Sequence, residues 1–335
     1  MTSGKRARII SLGSYAPERI LSNADLEEIV DTSDEWIVSR TGIHERRIAS
    51  DSEFPSDMGY EAATQALVRA NLNPGDLDAV IVATMCGDYL SPSTAAIIAA
   101  RLGATDIPAF DISAACTGFL YGVSIAKGYI ESGMYRNVLV IAAEKLSSIV
   151  DYSDRNTCVL FGDAAAAAVI SDEGEGLWVR SIRLGADGTQ AEILRVPGGG
   201  CRHPASHETV DENAHCIQMS GREVFRHAVR RMEQAAHAAL KQADLTEEEL
   251  SWLVPHQANI RIIDALAKRF SVPSDRVYNN LDRFGNTSAA GMFVALDELM
   301  QKETIEEGAH ILTVAFGAGL TYGSSVLTKI GGDDE

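Results

Sequence analysis

The sequence predicts an α/β protein, and three observations carry the prediction. Short apolar runs of strand length alternate with longer amphipathic stretches along the whole chain. With 335 residues, 46% of them hydrophobic, the chain can bury a large core as two domains or as one large layered unit. The two halves also echo each other. Asp78-Ala79-Val80-Ile81-Val82-Ala83 and Leu250-Ser251-Trp252-Leu253-Val254-Pro255 both follow a Leu-rich helix end and lead into a loop of functional character, which hints at internal duplication.

Taken in order, the first half is expected to hold strands at 8–12, 79–84, 109–112, 137–142 and 164–171. Helical stretches lie between them at 58–71, 92–102 and 117–132, the last stopped by Gly133. The second half is expected to hold strands at 177–184, 252–255, 310–316 and 323–329, with helices at 221–242, 260–270 and 289–302. Residues 185–215, rich in Gly, Pro, His and charge, read as the longest irregular segment and as surface loop.

Composition narrows the function. A net charge of −18 argues against general nucleic-acid binding, which needs a basic footprint, and favours small-molecule or protein partners. The start, residues 1–8, is polar and basic, and the apolar run after it is too short for a secretory signal. No apolar run approaches the roughly 20 residues that span a bilayer. The five cysteines (Cys86, Cys116, Cys158, Cys201, Cys216) are odd in number and lack C-x-x-C spacing. Reduced thiols in a cytoplasm are therefore expected, with neither a disulfide framework nor a metal site.

One cysteine stands apart by position. Cys116 follows the short apolar run 107–112 and precedes the apolar helical run from Thr117, with the small residues Ser113, Ala114 and Ala115 at the turn. A thiol at a helix N-terminus meets unpaired N–H groups and the positive end of the helix dipole, both of which favour thiolate. Three further segments have the same character. Leu253-Val254-Pro255-His256-Gln257-Ala258-Asn259 is an apolar strand ending in a histidine. Gly285-Asn286-Thr287-Ser288-Ala289-Ala290-Gly291 is a loop of small residues entering a helix. Ala315-Phe316-Gly317-Ala318-Gly319 is a glycine-rich turn after a strand, able to aim backbone N–H groups at a substrate oxygen. Each alone also fits a structural role: a hydrogen-bonded histidine, a capping asparagine, a simple turn.

Together with Asn23-Ala24-Asp25-Leu26, Thr32-Ser33-Asp34-Glu35-Trp36-Ile37, Arg40-Thr41-Gly42-Ile43 and Phe161-Gly162-Asp163-Ala164, these segments resemble the β-ketoacyl-acyl-carrier-protein synthase III family of condensing enzymes, from about residue 8 to 330. The resemblance implies a thiolase-like fold, two duplicated α/β halves (1–175 and 176–335) stacked as alternating helix and sheet layers. It implies an acyltransferase that condenses an acyl-CoA primer, acetyl-CoA or another short acyl-CoA, with malonyl-acyl-carrier protein to begin fatty-acid synthesis. Cys116, His256 and Asn286 would be the catalytic side chains, with the amides of Cys116 and Ala318 as the oxyanion hole. No cofactor is bound permanently in the family; acyl-CoA is a substrate, and a homodimer is expected. Trp36 and Arg155 would sandwich the adenine of CoA, Arg40 would contact phosphate, Thr32 the adenine, and Asn259 the pantetheine arm or a water. The carrier protein would meet Gln257, Ala258, Asn259, Ile260, Arg261, Arg226, Lys268 and Arg269. The chain's own charge pattern supports this surface: Arg222, Arg226 and Arg230 recur at spacing four, a helical stripe in an acidic chain.

The chain departs from the family at four points, of which Ala318 in place of a middle glycine is expected to be harmless if only its N–H is used and its φ is allowed. Ser91 stands where acetyl-using members often carry an aromatic residue contributed to the acyl pocket across the dimer. Arg222 replaces a commonly uncharged residue near the pantetheine channel, and Asn156 a common glycine beside Arg155. The alternatives within reach of the sequence are a condensing enzyme using longer acyl chains and a non-condensing acyl-CoA-dependent acyltransferase. A thiolase would carry a second catalytic cysteine near the C-terminus, and none follows Cys216.

Overall fold

The computed structural model describes residues 4–332; the first three residues of the polar N-terminal stretch and the last three of the second half lie outside it. Nine strands form one mixed sheet: β1 (Arg8–Tyr15), β2 (Ala79–Ala83), β3 (Ala109–Ile112), β4 (Asn137–Glu144), β5 (Ala164–Ser171), β6 (Gly176–Ala186), β7 (Leu250–Pro255), β8 (His310–Gly317) and β9 (Thr321–Ile330). Their order is β7-β8-β9-β6-β1-β5-β4-β2-β3. The principal helices are α1 (Asp34–Thr41), α2 (Pro55–Ala70), α3 (Thr94–Leu102), α4 (Gly118–Glu131), α5 (Gly221–Ala243), α6 (Ile260–Arg269) and α7 (Gly291–Lys302).

The two sides of the sheet repeat one pattern. Outward from the centre, β1-β5-β4-β2 and β6-β9-β8-β7 each read antiparallel, antiparallel, parallel. Between the sides only Arg8–Trp178 and Ile9–Leu177 are paired. The strands 79–83 and 250–255, linked in sequence as duplicates, occupy equivalent places, β2 and β7.

The period-two alternation of the strands sorts their side chains into layers. Ala79, Ile81 and Ala83 of β2 face a core shared with Phe119, Leu120 and Val123 of α4 and Phe293, Leu296 and Leu299 of α7. Val80 and Val82 face the opposite way, against Ala62, Ala63 and Ala66 of α2 and Ile98 of α3. On the other side, Trp252 and Val254 of β7 join the α4/α7 core, while Leu253 joins Met232, Ala236 and Leu240 of α5 and Leu266 of α6. Helices α4 and α7 thus form a central layer between two sheet halves, with helices on both outer faces. The rings of Phe119 and Phe293 stack across that layer, 3.7 Å apart at an interplanar angle of 15°.

Most expected elements lie within one to three residues of the observed ones, and strands 109–112 and 164–171 coincide with them. Segment 185–215 is less irregular than expected: it holds the 3-10 turn Gly188–Ile193, the strand Leu194–Arg195, which pairs with Gln218–Met219, and the helix His207–Asp211. These pieces are too short to leave a periodic signature. No described helix is long and apolar enough to cross a membrane.

Candidate active site

The site gathers at the C-terminal edge of the parallel strands on both sides of the sheet, where open α/β sheets place their ligands. Cys116 lies in the 3-10 turn Ala115–Thr117, which connects β3 to α4 and runs straight into the helix. Ala115 takes φ +46° to make the turn, and Thr117 clamps it by donating both its amide (3.2 Å) and its hydroxyl (2.7 Å) to the Ala114 carbonyl. Gly118 lets this helix start touch β2: a Cβ there would lie 2.9 Å from Ala83 Cβ.

His256 follows β7, and its amide donates to Val314 O at 2.8 Å. The side chain is 3% exposed, and burial pushes its pKa down to about 4, so the imidazole is neutral at physiological pH. Its Nδ1 is buried without a hydrogen-bond partner among the described residues.

Asn286 precedes α7, which packs beside α4 in the central layer, so the two candidate loops sit at the N-termini of two adjacent helices. Its amide donates to Leu160 O (2.8 Å), and its carbonyl accepts from Gly162 N (3.1 Å). Gly285 permits that docking, since it has φ +64° and a Cβ would fall 2.7 Å from Leu160 O. The side chain is oriented too: Oδ1 accepts from Ser288 N at 2.9 Å, which leaves the NH2 group as the end free to donate.

The glycine-rich turn reaches the cysteine as expected. A Cβ on Gly317 would lie 2.7 Å from the Cys116 amide nitrogen, and Thr321 Oγ1 donates to both Ala114 O (3.0 Å) and Ala318 O (3.1 Å). Ala318 is absent from the positive-φ residues, so its methyl group is accommodated.

Cys116, His256, Asn286 and Ala318 all line one cavity of about 730 Å³, which runs out to Trp36, Arg40, Asn259 and Arg261 at its mouth. One expectation is corrected here. The helix terminus is present, yet burial pushes the Cys116 thiol up to about 12, with the nearby Glu144 adding to the shift and the Ser288 hydroxyl opposing it. Enclosure therefore opposes the charge that the helix end favours.

At the mouth the arginines lie on the indole itself, with the guanidinium carbons of Arg40 and Arg155 at 4.7 and 5.1 Å from the Trp36 ring centre. Arg155 also donates to Asp31 O at 2.9 Å, so an adenine between Trp36 and Arg155 requires that guanidinium to lift. Thr32 Oγ1 is buried without a hydrogen-bond partner among the described residues. Asn259 caps α6, accepting from Arg261 N (2.9 Å) and donating to Arg40 O (3.1 Å), so both ends of its side chain are engaged.

The expected carrier-protein residues divide. Gln257 is corrected: it is 1% exposed and spent on Pro255 O (2.7 Å) and Asn280 N (3.1 Å), so it offers no surface. Ile260 wedges against Gly42, where a Cβ would meet it at 2.7 Å, and Ala258 is half-buried in the cavity wall. Arg261, Arg226, Lys268 and Arg269 are exposed. Arg261 donates to Ser39 O (2.9 Å), and Arg269 pairs with Glu233 (2.7 Å). Ser91 lies outside the cavity of its own chain, on an exposed loop with Tyr89 and Leu90.

Two residues beside the sulfur escaped the sequence reading, Glu144 and Ser288. The signal for Glu144 was available: an acid that ends the apolar run 138–143 lies on a strand buried on both faces, at the edge where the site forms.

Comparison with known proteins agrees with this geometry. Residues 110–188 match the family model described as 3-oxoacyl-[acyl-carrier-protein (ACP)] synthase III, and residues 240–329 match that of its C-terminal part. The chain is 56% identical over 321 residues to the β-ketoacyl-[acyl-carrier-protein] synthase III of Caldanaerobacter subterraneus, covering 96% of this chain and 97% of that one. With the Chlamydia caviae enzyme of the same name identity is 54% over 329 residues, 98% of each chain. The crystal structure of 3-oxoacyl-[acyl-carrier-protein] synthase III from Aquifex aeolicus superposes with a TM-score of 0.88 at 45% identity, over 96% of this chain and 99% of that one. The chain belongs to the β-ketoacyl-[acyl-carrier-protein] synthase III family of condensing enzymes.

Proposed function

We propose that this enzyme begins fatty-acid synthesis by joining a short acyl-CoA to malonyl-acyl-carrier protein through an acyl-cysteine. The observation that carries the reading is the convergence on one cavity of a thiol, a neutral imidazole and a pre-oriented amide. Cys116 attacks the acyl-CoA thioester; its proton ends on the CoA thiol that leaves, and the tetrahedral oxyanion faces the amides of Cys116 and Ala318. Malonyl-carrier protein then loses CO2. The negative charge left on its thioester oxygen is met by the Asn286 NH2 and by an N–H of His256, both neutral donors. The carbanion attacks the acyl-cysteine, releasing β-ketoacyl-carrier protein and the Cys116 thiolate.

Trp36, Arg40, Arg155 and Thr32 suit CoA at the mouth, and Asn259 holds the mouth together. Arg226, Arg261, Lys268 and Arg269, with the Arg222 stripe, suit an acidic carrier protein. The mirrored strand order supports reading the chain as two duplicated halves, divided near residue 175. An exposed Tyr89-Leu90 loop supports a homodimer, and five free thiols support a cytoplasmic setting.

The test is intact-mass analysis with a series of acyl-CoAs, followed by addition of malonyl-carrier protein. The proposal expects an acyl increment on Cys116 that is discharged as β-ketoacyl-carrier protein. An increment discharged without condensation would identify a simple acyltransferase, and preference for long chains a condensing enzyme of another primer class.

A further inference from the structure

Arg46 is a wholly buried cation, and among the described residues no carboxylate pairs with it. It lies in the short strand Glu45–Arg47, which pairs with Ile20–Ser22 outside the main sheet. Its guanidinium donates to three neutral oxygens. Nη1 reaches Leu21 O (3.0 Å), and Nη2 reaches both Asn23 Oδ1 and Val159 O (2.9 Å each). Burying a cation without a counter-ion is costly, so these three bonds carry whatever the side chain contributes. Two of them stay within or next to the strand's own hairpin. The third, to Val159 O, crosses to a segment 113 residues away.

That segment is the seat of Asn286. The residue after Val159, Leu160, accepts the Asn286 amide at its carbonyl, and the Gly162 amide donates to the Asn286 carbonyl (2.8 and 3.1 Å). The strand of Arg46 lies under both partners. A Cβ on Gly162 would come 3.1 Å from Arg46 Cβ, and one on Gly285 would come 3.2 Å from it. The neighbours of Arg46 complete the grip: Arg47 O accepts from Asp163 N (2.8 Å), and His44 N donates to Asp282 O (2.9 Å). The Cys116 turn is held separately, by Thr117 and Thr321 on the Ala114 carbonyl. Support from Arg46 therefore runs to the amide of the site through its seat, and the thiol has its own.

We propose that Arg46 is a positioning residue for Asn286: by pinning Val159 O it fixes the segment on which the Asn286 backbone docks, and so fixes where the NH2 group points. Stabilising a developing oxyanion depends steeply on the placement of the donor. Loosening the seat should therefore slow decarboxylation and leave acyl transfer to Cys116 nearly untouched. The inference rests on the reading of Asn286 as donor to the malonyl-derived enolate and deepens it.

The test is Arg46→Lys, which keeps the charge but has one ammonium where the guanidinium serves its oxygens from two nitrogens. Acyl uptake at saturating acyl-CoA is read by intact mass, and CO2 release from malonyl-carrier protein is expressed per acylated site, so that unfolded molecules drop out of the ratio. Arg46→Lys should acylate within about threefold of wild type and release CO2 about 30-fold more slowly, through kcat with little change in KM. Asn23→Ala removes a different acceptor from the same guanidinium and leaves the Val159 bond, so its CO2 release should stay within about threefold of wild type. Wild-type CO2 release by Arg46→Lys, equal slowing of its two half-reactions, or equal effects of the two variants would overturn the proposal. If Arg46→Lys does not fold, amide hydrogen exchange in the wild-type protein decides. The Gly162 and Asn286 amides should open together with the strand Glu45–Arg47, and opening about tenfold more often than that strand would overturn the proposal. Undiminished decarboxylation by Asn286→Ala would overturn the reading of Asn286 itself, and the exchange comparison would still report whether Arg46 holds the segment.

Discussion

The floor and the mouth of the cavity are built on different principles. At the floor every candidate catalytic group is fixed by backbone. Cys116 is set by a clamped turn, Asn286 by two main-chain hydrogen bonds and a glycine, His256 by a bond to the neighbouring strand. At the mouth, Arg40, Arg155 and Arg261 hold position by stacking on Trp36 or by bonding exposed carbonyls. A floor of this kind suits chemistry that tolerates little displacement, whereas a mouth of long, solvated side chains suits the capture and release of a large substrate. Substitutions at the floor should therefore act on chemical steps, and those at the mouth on KM.

The largest break is Cys116→Ala, which should abolish acyl uptake from acyl-CoA by at least about 10³-fold, read by intact mass. Residual labelling of another cysteine at the wild-type rate would move the nucleophile elsewhere. Next in size, Asn286→Ala should keep acyl transfer to Cys116 within a few-fold while slowing decarboxylation of malonyl-carrier protein about 10²-fold or more. Equal loss of both half-reactions, measured as acyl mass and CO2 release, would erase the division of labour along the floor.

At the mouth, Trp36→Ala should raise KM for acyl-CoA about tenfold with kcat nearly unchanged, since stacking against a base contributes about 1–3 kcal/mol. For the carrier protein, Lys268→Glu or Arg226→Glu is a cleaner probe than a change at Arg261, whose guanidinium also holds Ser39 O. Either should raise KM for malonyl-carrier protein several-fold, more at low salt, and leave KM for acyl-CoA alone. A salt-independent change would place the docking surface elsewhere.

The same contrast explains what could be read in the sequence. A fully buried strand such as 164–171 announces itself by a nearly unbroken apolar run, whereas Cys116, His256 and Asn286, each ambiguous by position alone, stand out together through the family resemblance. Gln257 is expected at the carrier protein through the resemblance, while the fold turns it inward to Pro255 O and Asn280 N. The helix end at Cys116 is visible in sequence, but the burial and the nearby Glu144 that push its thiol up, and the Ser288 hydroxyl 172 residues away that opposes them, come together only in the fold. Electrostatics at the floor belongs to residues that meet only after folding.

That electrostatics has its smallest but most specific consequence in stability against pH. Glu144 has a folded pKa of about 7 against an ordinary 4.5, so its contribution is fully favourable below 4.5 and is lost as pH rises through 7. His256 runs the other way. Its folded pKa is about 4 against 6.5, so its contribution is intact above 6.5 and is lost as pH falls through 4. Each is worth about 3 kcal/mol at full extent. Between pH 4.5 and 6.5 the two slopes oppose each other, so these two groups leave the wild-type stability nearly level there. Glu144→Gln removes one slope and leaves the other. Its unfolding free energy relative to wild type should climb by about 3 kcal/mol from pH 4.5 to above pH 7, followed by urea titration at each pH. A difference that stays constant across that range would mean that Glu144 is already ionised in the folded floor, and the costly buried charge would then need a partner that the surrounding residues do not supply.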